Sequence, residues 1–134
     1  MATTTETRLT GWAEVCTYLA GKYGPASQPT PNQINVSVAR PGHEPAQVRV
    51  RAWDMRGTAA LELCCNIGPA KDVPPAGALY RNCGLTIGGF ALAQRAVDLR
   101  QILPLDGLRT ADLDETIVVL AEGFDPASAP QKAL

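Results

Sequence analysis

Hydrophobic positions along this chain follow two different periods. Leu9, Trp12, Ala13, Cys16, Leu19, Ala20 and Tyr23 recur at spacings of three and four, the apolar stripe of one helix. Thr3 and Glu6 have the spacing of a capping box ahead of it. Gly24-Pro25 stops it, because Pro25 has no backbone N–H to donate and disfavours a helical predecessor. Beyond this the period changes to two. Ile34, Val36 and Val38 alternate with Asn35 and Ser37, and Val48, Val50 and Ala52 with Gln47, Arg49 and Arg51. Ala59, Leu61, Leu63, Cys65 and Ile67 alternate with Ala60, Glu62, Cys64 and Asn66. Each run predicts a strand with one covered and one wetter face, as in an antiparallel meander. Pro41-Gly42 marks the first turn, with His43 in a turn-like loop over 41–45, and Met55-Arg56-Gly57 closes the second hairpin.

Residues 68–75 carry three prolines and read as a loop. A short helix over about 75–83 follows, with Ala76, Leu79, Tyr80 and Cys83 on one face and Gly84 just past its end. Gly77 weakens it. Leu85, Ile87, Phe90 and Leu92 belong to a fourth strand, in which Gly88-Gly89 marks a bulge. Val97, Leu99, Gln101 and Leu103 alternate with Asp98, Arg100 and Ile102 in a fifth that ends at Pro104. The last element is a helix with Asp112 as N-cap, Glu115 three residues on, and an apolar face of Leu113, Ile117, Leu120, Ala121 and Phe124. Asp112, Asp114 and Glu115 in its first turn suit the helix dipole, and Asp125-Pro126 ends it. The order α-β-β-β-α-β-β-α predicts an α+β fold, an antiparallel sheet with helices packed on one side. It predicts a single domain over 1–134, with an ordered core of about 5–125 and a frayed tail at 126–134.

Composition narrows the class. Only 5% of residues are aromatic against 46% hydrophobic, so the core is built from small aliphatics. Twelve Lys and Arg against thirteen Asp and Glu leave a formal charge of -1, without the basic excess that sequence-independent nucleic-acid binding needs. No apolar run approaches the ~20 residues of a spanning helix. Neither nucleic acid nor membrane is therefore an expected partner. The opening MATTTETRLTGW has no basic start and no apolar h-region, which makes the cytoplasm the expected location and leaves thiols reduced. Cys16, Cys64, Cys65 and Cys83 contain no C-x-x-C pair, and adjacent Cys64 and Cys65 point to opposite faces of a strand. They read as structural thiols, with no metal and no cofactor expected.

Candidate chemistry is sparse. His43 is the one histidine, so a nucleophilic constellation has only a solvated loop residue for its base. Asp106, Asp112, Asp114 and Glu115 cluster where helix capping explains them, and Gly84, Gly88 and Gly89 match no phosphate fingerprint. Arg49 and Arg51 share the outward face of the second strand, with Arg56 at the turn; Glu62 on the neighbouring strand partly neutralises them. No aromatic residue interleaves this stripe to stack bases, and it reads as a solvated sheet face. A binding or interaction module, not an enzyme, is the expectation.

The C-terminal half carries a more particular pattern. Leu79-Tyr80-Arg81-Asn82 leads into Phe90-Ala91-Leu92, then Val97-Asp98-Leu99-Arg100, Leu103-Pro104-Leu105-Asp106-Gly107-Leu108, and Asp112-Leu113-Asp114-Glu115-Thr116-Ile117 before Phe124-Asp125. This resembles the C-terminal signature of the type III secretion chaperone-like superfamily, which includes CesT-type secretion chaperones and YbjN-like proteins. The resemblance implies a homodimeric, cytosolic, non-catalytic chaperone-like protein that binds an extended segment of a partner, such as an effector, by strand addition and groove contacts. It places the dimer contact at Leu79, Tyr80, Cys83 and Ile87. It places partner-binding grooves at Trp12, Val48, Val50 and Leu61. The YbjN-like branch implies the alternative of a regulatory or small-molecule-binding domain.

Overall fold

Period-two runs become long strands, and the three that precede residue 70 pair in sequence order, as short connections between alternating segments dictate. The computed structural model describes residues 7–24, 30–40, 42–69, 89–93 and 96–122. Strand β1 (Arg8–Leu9) precedes helix α1 (Trp12–Tyr23); β2 (Gln33–Arg40), β3 (His43–Met55) and β4 (Thr58–Pro69) follow, then β5 (Gly89–Ala93), β6 (Ala96–Pro104), β7 (Leu108–Arg109) and helix α2 (Thr110–Glu122). The main sheet has the order β2-β3-β4-β6-β5, antiparallel throughout, and β1 pairs with β7 in a second, two-stranded sheet. This is an α+β fold. The helix expected over 75–83 lies outside the described residues.

Register places the alternation on one surface. Ile34, Val50 and Leu63 stand in one row across β2, β3 and β4; Val36, Val48, Cys65 and Leu99 stand in the next. These side chains form the core with Val15 and Leu19 of α1 and Leu113, Ile117 and Leu120 of α2. Both described helices therefore cover the same face of the sheet. The β3–β4 turn is two residues, Arg56-Gly57, with φ of 52° and 86°. Both positive values are those of the hairpin turn whose twist matches the flanking strands.

Several local expectations are revised. Leu9 is not helical: it pairs with Leu108 in the β1–β7 ribbon, and extended Gly11 starts the helix at Trp12. Glu14 turns back to accept hydrogen bonds from the Thr10 backbone N–H (3.0 Å) and hydroxyl, which hold its carboxyl below the usual range. His43 opens a strand, pairing with Arg40 across a two-residue connection. The third strand runs through a register shift at 66–68 to Pro69, beyond its expected end. Asp112 is not the N-cap, because α2 already begins at Thr110; its carboxylate instead takes two 2.8 Å hydrogen bonds from Arg109.

Candidate functional site

On the other face of the sheet the alternation sets Arg49, Arg51 and Trp53 of β3 beside Ala60, Glu62 and Cys64 of β4, then Arg100 and Ile102 of β6. Arg51 and Glu62 are direct cross-strand partners, and Arg49, Cys64 and Arg100 form the adjoining row. Glu62 is only 2% exposed, yet three guanidinium groups surround it. Arg51 Nη2 lies 2.6 Å from Oε1, Arg100 contacts Oε2, and Arg49 stands off at 4.0 Å. A buried carboxylate is tolerated only when opposite charge is brought to it, and strand register brings three.

The cluster is over-supplied with positive charge. Three guanidinium groups, on side chains that are 36–40% exposed, contact one carboxylate, and with Asp98 one row along β6 the positive charge still exceeds the negative. Nε of all three arginines is buried without a hydrogen-bond partner, and Oε1 of Glu62 is held by charge, not by an aligned hydrogen bond. Trp53, itself 36% exposed, lies against two of the arginines, with Arg51 Cζ 4.8 Å and Arg100 Cζ 5.6 Å from its ring centre. Both distances are within cation–π range. Toward the other end of this face Asn66 donates a 3.1 Å hydrogen bond to Asp98.

This arrangement offers donors set on paired strands and an aromatic platform, which suits recognition of an anionic group. It offers no activated nucleophile. Burial pushes the thiols of Cys16, Cys64 and Cys65 up, with Glu62 adding to the effect at Cys64, so their reactive thiolate forms are disfavoured. A separate open cleft of about 350 Å³ lies between the end of β6 and the first turns of α2, edged by Gln101, Leu103, Asp112 and Glu115.

The residues expected from sequence fall in three different places. Val48, Val50 and Leu61 have no exposed surface and belong to the core beneath the helices, so they line no partner groove in this conformation. Trp12 packs against that core from its edge, its indole N–H donating 2.8 Å to the Pro31 carbonyl. Leu79, Tyr80, Cys83 and Ile87 lie outside the described residues. Arg49 and Arg51 are brought together as expected, but Arg56 sits apart at the hairpin turn and Arg100 takes the third place. The stripe does carry an aromatic residue: Trp53 continues the 49–51 alternation, a signal present two residues further along the same strand. Arg100 is on the outer face by its own alternation, but its closeness to Glu62 depends on the β4–β6 pairing.

Among the described residues no helix is long and apolar enough to cross a membrane. Comparison of the chain with protein-family models, with curated proteins and with solved structures found no match.

Proposed function

We propose that the chain is a non-catalytic, chaperone-like protein-binding domain that takes an extended segment of a partner as an added strand along β2. One observation carries this reading. β2 is an outer strand of the sheet, and among the described residues no strand lies beyond it. Its stretch from 33 to 39, QINVSVA, has no charge and no proline. Natural edges are usually blunted by such residues, because an open row of N–H and C=O groups pairs with other chains. An edge that runs regularly over 33–38, as far as the register shift between Val38 and Arg40, is a binding surface in waiting, and main-chain hydrogen bonds supply affinity there without demanding one partner sequence. The domain acts in the cytoplasm as a homodimer, as the resemblance to secretion chaperones implies.

The test is selection from a random-peptide display library, followed by hydrogen exchange on the complex. The expected result is enriched peptides that slow exchange of β2 amides. A protected region elsewhere, or no enrichment over the bare support, overturns the reading. Light scattering tests the dimer. The open cleft beside Glu115 favours one other reading, a small-molecule regulatory domain; a metabolite that raises the melting temperature, with no peptide enriched, would select it.

A further inference from the structure

We infer that the arginine face specifies the partner: the segment added to β2 is acidic at alternate positions, and its carboxylates are received by Arg49 and Arg51. This rests on strand addition at β2 and supplies the selectivity that an edge by itself lacks.

The register defines the geometry. Gln33 of β2 is the cross-strand partner of Arg51, and Asn35 is the partner of Arg49. A strand laid against β2 continues those two rows, two strand spacings or about 10 Å from β3. Its outward side chains opposite Gln33 and Asn35 lie on the same face as the arginines, within the joint reach of an arginine and a glutamate. Arg49 and Arg51 repeat at the period of two that an extended partner shares. An acid-x-acid pattern therefore meets both cations at once, and a basic or neutral segment does not.

Charge complementarity points the same way. The three arginines outnumber Glu62 by two, and Asp98, a further carboxylate on this face bonded to Asn66, still leaves them in excess. Arg49 is the loosest member, 4.0 Å from Glu62 and 40% exposed, so turning toward β2 gives up only a distant approach to Glu62 and its contact with Cys64. The polar side chains between it and the added strand, Asn35 and Ser37, bring no competing charge. Arg100, in contact with Oε2 of Glu62 and lying against Trp53, keeps the buried carboxylate paired when Arg49 and Arg51 turn toward the added strand.

The same library selection decides it, repeated on Arg49→Gln and on Arg49→Lys, which retains the charge. Expected are peptides with Asp or Glu at alternate positions, binding Arg49→Gln roughly 3- to 10-fold more weakly and losing affinity as salt rises. Arg49→Lys should keep most of the affinity. Should Arg49→Gln fail to fold, the salt dependence on the unaltered chain makes the same decision. Peptides that protect β2 without acidic bias, or without salt dependence, overturn this inference while strand addition stands. Peptides that protect another surface, or none enriched, overturn both.

Discussion

Tyr23 of α1 donates a 3.0 Å hydrogen bond to Asp114 of α2, joining helices whose residues are 91 positions apart. Tyr18 donates to the other carboxylate oxygen, and Lys22 reaches that oxygen at 2.8 Å. Asp114 is thus more than a first-turn acid placed for the helix dipole. It is the single acceptor that three α1 side chains share, and it sets how the two helices lie over the sheet. Asp114→Ala should cost about 1–3 kcal/mol, because it strands two half-buried phenols without an acceptor. Urea denaturation measures this, with Asp114→Asn expected to lose less.

The same contact gives a pH dependence. Burial raises the pKa of Tyr18 and Tyr23, and the Asp114 charge raises both further; the hydrogen bond to Asp114 also raises Lys22. A folded-state value above the unfolded one contributes stability that is complete below the unfolded value and is lost as pH rises through the folded value. Melting temperature should therefore hold between pH 7 and 9 and fall above about pH 10, where unfolded tyrosine and lysine ionise. The double variant Tyr18→Phe/Tyr23→Phe should flatten most of that fall. An unchanged slope would show that other groups control alkaline unfolding.

Glu62 is the counter-charge of the outer face, so Glu62→Gln should destabilise by about 1–3 kcal/mol. Breaking a fully buried ion pair costs more, about 3–5 kcal/mol. Here solvent around the half-exposed arginines moderates their repulsion. The deficit should shrink in about 1 M salt, since screening acts on the repulsion that remains. Urea midpoints at low and high salt read both effects.

Leu61 sits at the centre of the core with no exposed surface. Leu61→Ala should cost about 2–5 kcal/mol through the cavity it leaves. Peptide affinity measured well below the melting point should be unchanged, which separates a core role from a partner contact.

Arg56 adopts a φ of 52°, a region costly for most side chains, at the first position of the β3–β4 turn. Asn tolerates it better and, followed by Gly57, makes the favoured pair for this turn. Arg56→Asn should raise stability by about 0.5–1 kcal/mol, visible as a shift of a few degrees in melting temperature.

Local pattern made much of the sheet and helices legible. Alternation identified the inward residues of β2 and β3 and Leu61, Leu63 and Cys65 of β4, but Ala59 is exposed, and Ala60, Glu62 and Cys64, expected on the wetter face, are buried. Gly24 marked the end of α1, and Leu113, Ile117 and Leu120 marked the buried stripe of α2. What escaped was decided by competition between neighbours. Leu9 fits the helical stripe of α1, but pairing with Leu108, nearly a hundred residues away, draws it into a strand. Val48, Val50 and Leu61 are apolar whether they line a groove or fill a core, and only the helices lying over them distinguish the two. Trp53 was readable by one more step of the alternation that exposes Arg49 and Arg51.

Which residues face in and which face out follows from the order of amino acids, because a strand's side chains alternate and a helix repeats every three to four residues whatever they pack against. Which outward residues meet is a property of the folded chain. Glu62 gathers Arg51 from one adjacent strand and Arg100 from another, and Asp114 gathers three side chains from the first helix. Those meetings depend on strand order and register, which arise from long-range pairing and burial and are not written in the period of any one segment.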